Sequence, residues 1–131
     1  MEHIQFKTDK EREQWDRLDP RVRGLLLAVG AWQFAKFGID LVVTCIIRDT
    51  DENARVGGRP QSAHVLTPGQ IWARAVDIRN TNLDTDQRRA RRDFILTHWN
   101  WKVMPPMIHV IDHDSGAGDH THINLNLAYK M

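Results

Sequence analysis

A single cysteine, Cys45, leaves no possibility of an intrachain disulfide. It sits inside an apolar run and reads as a small buried hydrophobe. No apolar run approaches the ~18 residues of a membrane-spanning helix, so no membrane span is expected. Neither sign of charge is in excess: 18 Lys and Arg face 17 Asp and Glu, for a net charge of +1. That balance gives no electrostatic ground for binding nucleic acid. The one basic run, Arg88-Arg89-Ala90-Arg91-Arg92, lies among helix formers and reads as a solvated helix face. Residues 1–10 are polar and charged and lack the apolar segment of a secretory signal, so the chain is expected to be made in the cytoplasm. Internal repeats and low-complexity stretches are also missing.

What remains is an ordinary globular composition, 41% hydrophobic and 27% charged over 131 residues, enough for one domain with one modest core. Thr8 or Asp9 can cap a first helix through Arg17, with Trp15 and Leu18 on one side. Asp19-Pro20 restarts a helix, as an N-cap followed by proline at the first helical position. That helix runs to about Phe37 on an apolar face of Leu25, Leu26, Val29, Trp32, Phe34 and Ala35, and Gly38 closes it. Leu41 to Ile47 is apolar and largely β-branched, a buried strand ending at Arg48. Asp49 to Gln61 reads as a loop with a glycine pair at Gly57-Gly58, and it delivers Ser62 and His64.

After a turn at Thr67-Pro68-Gly69, residues Ala73 to Arg79 suit a strand. A helix is expected from Asp86 to about His98, with Ala90, Phe94, Ile95 and Trp99 inward, and Pro105-Pro106 stops whatever follows. Met107 to Ile111 and His120 to Leu127 read as a hairpin joined by a turn over Asp112 to Gly118. In the last strand Thr121, Ile123, Leu125 and Leu127 alternate with His120, His122, Asn124 and Asn126. A period of two sets both histidines on one polar face, about 7 Å apart.

Three groups stand out as ligands for one divalent metal: His64, Asp77 and His122. Catalytic zinc sites take three protein ligands of this type and leave a fourth position open. Asp119 and His120 are then left beside the metal for acid/base work. His109 is expected in the core or behind the ligands, and His3, His98 and His113 have no evident role.

The segment Arg48 to His64 resembles the family of zinc D-alanyl-D-alanine carboxypeptidases and L-alanyl-D-glutamate peptidases. Members carry an arginine at a strand end, then an asparagine, a Gly-Gly pair and Ser-x-His, followed by Ala-x-Asp and a late motif ending in His. Here these are Arg48, Asn53, Gly57-Gly58, Ser62-Ala63-His64, Ala75-Val76-Asp77 and Asp119-His120-Thr121-His122. Two departures stand out. Twelve residues, Val65 to Val76, separate His64 from Asp77 where the family usually has six, and Asp119 stands where many members have glutamate.

The resemblance implies the zinc fold shared with lysostaphin-type peptidases and the hedgehog domain. It implies hydrolysis of a peptide bond in peptidoglycan, Zn²⁺ as cofactor, Arg48 and Ser62 as substrate contacts, and Asp119 or His120 as the catalytic group. It also implies a phage or prophage setting, with action on the cell wall after release or as part of a virion. A non-catalytic zinc-binding module of the same fold is the alternative. The expected fold class is α+β: an antiparallel sheet of about four strands carrying the metal site, flanked by two or three helices.

Overall fold

The computed structural model describes residues 1–55, 62–100, 104–113 and 119–126. The expected Gly57-Gly58 pair, the turn over 114–118 and the last residues of the final strand lie outside them. The fold is α+β, with a mixed, mostly antiparallel sheet. In chain order the elements are β1 (Ile4–Phe6), α1 (Asp9–Gln14), α2 (Pro20–Phe37), β2 (Leu41–Cys45), α3 (Thr50–Arg55), β3 (Ala75–Arg79), α4 (Thr85–Asn100), β4 (Ile108–His113) and β5 (His120–Leu125). A 3-10 turn, Trp15–Arg17, follows α1.

The ends of α2 follow from local chemistry. Asp19 accepts a hydrogen bond from the Arg21 backbone N–H at 2.9 Å, and Pro20 occupies the first turn, where its missing N–H costs nothing. Gly38 closes the helix at φ 70, a left-handed conformation that suits glycine. The buried stripe is Val22, Leu25, Leu26, Val29, Gly30 and Gln33. Phe34 and Ala35, expected inward, instead face out, because they lie one step around from the Val29–Gln33 line. Trp32 is half-buried and stacks on Phe94 of α4 with ring centroids 4.7 Å apart.

The sheet has five strands in the order β1-β2-β3-β5-β4, one more than expected. The extra strand is β1, which runs parallel to β2 with Ile4 opposite Leu41. Every other pairing is antiparallel. Central β3 is buried through Ala75, Val76, Asp77 and Ile78, so both its faces are covered. One face of the sheet, with Leu41, Val43, Val76, Ile78, Ile108, Val110, Ile123 and Leu125, joins the core with Leu25, Leu26, Val29 and Ile95 of α2 and α4. The other face carries Asp77, His120 and His122.

Two further expectations are corrected. Residues 50–55, read as loop, form α3, because Asp49 and Glu52 cap its start reciprocally. The Asp49 carboxylate accepts from the Glu52 N–H at 2.7 Å, and Glu52 accepts from the Asp49 N–H at 3.4 Å. The basic run of α4 is not wholly solvated, for Arg91 is 1% exposed. It donates to the Gln33 side-chain oxygen at 2.9 Å, the Arg79 carbonyl at 3.3 Å and the Thr121 hydroxyl at 3.2 Å. Acceptors from three other elements make that burial tolerable.

Candidate metal centre

Strand alternation puts the site together. In β5 the residues Thr121, Ile123 and Leu125 are buried toward the helices, which turns His120, His122 and Asn124 to the opposite face. Register sets Asp77 of β3 directly opposite His122, and Cys45 of β2 opposite Asp77. His64 reaches the same face from the loop before β3. The Arg48 N–H donates to the His64 carbonyl at 2.9 Å, and the Ser62 hydroxyl accepts from the His64 N–H at 3.3 Å. The twelve-residue spacer fits by making a turn at Thr67–Gln70, then a parallel bridge from Ala73 to Leu18.

Three ligand atoms converge. His64 Nε2 and His122 Nδ1 each lie 2.9 Å from Oδ1 of Asp77, and 3.2 Å from one another. A tetrahedral zinc ion with ligand bonds of about 2.0–2.1 Å has ligand–ligand edges of about 3.3 Å; the 3.2 Å edge is close to this and the two 2.9 Å edges are shorter, so the triangle would open slightly around an ion. His64 and Asp77 are nearly inaccessible, at 1% and 5% exposure.

In neutral rings, the outer hydrogen bonds fix which nitrogen carries the proton. His64 Nδ1 lies 2.9 Å from the Ile46 carbonyl, which can only accept, so Nδ1 carries the proton and Nε2 turns a lone pair inward. Asn124 donates its amide to the Leu125 carbonyl at 3.2 Å, which turns its side-chain oxygen to His122 Nε2 at 3.0 Å. His122 therefore donates from Nε2 and turns the Nδ1 lone pair inward. Two lone pairs and a carboxylate oxygen thus share one point. Protonating both inward nitrogens would set two imidazolium charges with donors 3.2 Å apart. A single divalent cation satisfies all three groups, with the outer bonds in the orienting role that metal-bound imidazoles commonly have.

Burial by itself would raise the Asp77 carboxyl, but with His122 and His64 donating to it, and with the charge of His64 and His120 nearby, it is held well below the ordinary carboxylate range; a bound cation would take the place of those inward protons. Asp77 is therefore anionic at neutral pH, as a ligand must be.

Cys45, His64 and Asp77 also form a group whose ligand atoms lie within 4.8 Å of one another, and this group could hold a metal ion. Of the two overlapping sets, His64, Asp77 and His122 is the better formed. Cys45 Sγ lies 3.6 Å from Nδ1 of His64, the nitrogen already committed to Ile46. In the ion-free chain burial, helped by the Asp77 charge, pushes the Cys45 thiol up to about 12, so an ion held by Cys45 would first have to displace its proton.

The remaining sequence candidates surround this point. His120 Nε2 lies 3.5 Å from Oδ2 of Asp77. Asp119 is half-buried immediately before β5. Arg48 lines a cleft of 480 Å³ with Gln14, Ile47, Asp49, Glu52, Val65 and Leu66. Its Nε is buried without a hydrogen-bond partner among the described residues. His109, expected in the core or behind the ligands, is exposed opposite Asn124.

Sequence reasoning passed over Asn124, the Ile46 carbonyl and Cys45, and held His113 only as a replacement should His122 not be the ligand. Asn124 was readable, since the alternation that aligns His120 with His122 carries it to the same face. The chain matches no protein-family model, no curated protein and no solved structure. The reading of the site therefore rests on its own geometry. Among the described residues no helix is long and apolar enough to cross a membrane.

Proposed function

We propose that the chain is a zinc-dependent peptidase that hydrolyses a peptide bond in bacterial peptidoglycan, in stem peptides or cross-links. The observation that carries this reading is the convergence of His64, Asp77 and His122 on one point, with both imidazole lone pairs turned inward. Two nitrogens and one carboxylate oxygen form a donor set suited to zinc, and three ligands leave a position open for chemistry. The substrate class comes from the resemblance of the motif order, Arg48 through His122, to the peptidoglycan peptidases. With that class goes a place of action at the cell wall, after release or within a virion.

A bound zinc ion would supply Lewis acidity toward water and a peptide carbonyl. The chain's own groups do the rest. Asp119 takes a proton from the attacking water and returns it to the leaving amine. His120, on the same face as His122, donates to the oxyanion that develops on the carbonyl. Arg48 offers its guanidinium to a substrate carboxylate in the cleft beside His64. Ser62 holds the His64 backbone and, by the resemblance, contacts the substrate.

The test is incubation of the protein with purified peptidoglycan, with and without a chelator, followed by mass spectrometry of the fragments. New amino and carboxyl termini that disappear with chelator are the expected result. Metal bound in full without any cleavage would assign the chain to non-catalytic zinc-binding modules instead.

A further inference from the structure

Asp77 has two carboxylate oxygens, and only Oδ1 faces His64 and His122. Oδ2 faces His120, whose Nε2 lies 3.5 Å away. That distance is close to the about 3.3 Å edge of a tetrahedral ligand pair. His120 in turn stands directly opposite His113 in the β4–β5 ladder, with ring centroids 5.1 Å apart. Residues paired across an antiparallel ladder share a face, so both imidazoles rise from the sheet on the side of Asp77. The His113 ring also lies 5.9 Å from that of His122, so the histidines form one continuous group. His113 is exposed and leaves the group accessible from solvent.

We propose that His113, His120 and Oδ2 of Asp77 form a second divalent-metal site, joined to the first through the Asp77 carboxylate. The proposal rests on the metal centre described above, because Asp77 belongs to both. A carboxylate that gives one oxygen to each of two ions suits the about 3.5–4 Å spacing of two-metal centres. Two imidazoles and one carboxylate oxygen suit zinc again, or another late first-row divalent ion. The second site is the weaker of the two. His113 is open to water, whereas His64 is enclosed, and Asp77 has one charge to share between the ions. An ion in the second site also takes up His120, so excess metal competes with the role proposed for that residue in hydrolysis.

The experiment titrates metal-free protein with Zn²⁺ alone against a competing chromophoric chelator. Wild type is expected to bind two ions per chain, one tightly and one weakly. His113→Ala should bind the tight ion only, since loss of a direct ligand exceeds the about 10–100-fold typical of losing an outer partner. His113 is exposed, so this variant is expected to fold, and far-UV circular dichroism checks that it does. His122→Ala should lose the tight ion and keep one weak ion on the His113–His120 pair. A single ion in both wild type and His113→Ala overturns the second site and leaves the first intact. Two ions in His113→Ala at wild-type affinities place the second ion elsewhere and overturn the proposal. No ion in wild type overturns both sites.

Discussion

The two faces of the sheet each bury a polar cluster, and the two clusters obey opposite rules. Toward the helices, Arg91 brings donors to acceptors: the Gln33 side-chain oxygen, the Arg79 carbonyl and the Thr121 hydroxyl. The Thr121 hydroxyl donates a hydrogen bond to the Asp112 carboxylate at 2.7 Å, and the Gln33 amide donates to the carbonyls of Ile39 and Asp40. Each donor finds an acceptor, and the arrangement needs nothing from outside. On the other face, with both imidazoles neutral, His64, Asp77 and His122 bring acceptors to acceptors. A satisfied cluster is architecture, whereas a convergence of lone pairs is completed by a proton or by a metal ion. Burial alone would not separate the two, for Arg91 and His64 are equally enclosed, each at 1% exposure.

The largest effect that would break this contrast lies at the converging face. His64→Ala or His122→Ala should abolish near-stoichiometric zinc in the tight site, as measured by elemental analysis after dialysis, because two remaining ligands rarely hold a catalytic ion. Full retention of the tight ion in His122→Ala would show that the inward lone pair of His122 has no part in it. Next comes Asp119→Asn, which keeps shape but cannot accept a proton. It should retain zinc and fold and lose about 10²–10⁴-fold in peptidoglycan cleavage. Near wild-type turnover would move the base to another residue, with His120→Ala the following test.

The satisfied face should fail differently. Arg91→Leu strands the Gln33 oxygen and the Arg79 carbonyl, and each stranded group costs about 1–3 kcal/mol. Denaturant unfolding should show a loss of that order per group, with zinc stoichiometry intact in the folded protein. Loss of zinc with unchanged stability would reverse the roles assigned to the two clusters.

The smallest effect sharpens the choice of ligands. Cys45→Ser should leave zinc content unchanged, since Sγ lies beside the outward Nδ1 of His64 and not its inward Nε2. Its folded pKa, about 12, is raised above the about 8.5 of a free thiol, so the fold favours the neutral form. The associated stability is fully present below about pH 8.5 and is lost as pH rises toward the folded value. Alkylation of the native protein at pH 8 should accordingly be slow and should accelerate in denaturant. Fast labelling of folded, metal-free protein would make Cys45 a thiolate and restore it as a ligand candidate.

How much of this was legible depends on where the deciding partner sits in the chain. The limits of α2 were readable because Asp19, Pro20 and Gly38 act on their own neighbours. The β5 alternation was readable for the same reason, and with it the shared face of His120 and His122. The start of α3 carried a readable signal that went unused: the spacing of Asp49 and Glu52 is that of a capping box. By contrast β1 is three residues long and gains its hydrogen bonds from Leu41 to Val43, far along the chain. The burial of Arg91 depends on a glutamine on α2, a carbonyl on β3 and a hydroxyl on β5, and no local window contains them. His113 looked idle because its partner, His120, lies across a hairpin. The ligand set itself came from motif order, while the tautomers that make it a ligand set came only from the Ile46 and Asn124 contacts.

The three converging groups belong to segments that meet only in the native state. Their mutual contacts span 13, 45 and 58 residues of chain. An ion that binds the assembled triad, and not the open chain, draws the folding equilibrium toward the native state by mass action. At a free-ion level 100 times its dissociation constant the pull is about 2.7 kcal/mol. With such an ion the melting temperature would become a reading of free metal concentration. Near its melting temperature, the protein would then shift toward the unfolded state wherever the ion is scarce and toward the native state wherever it is plentiful.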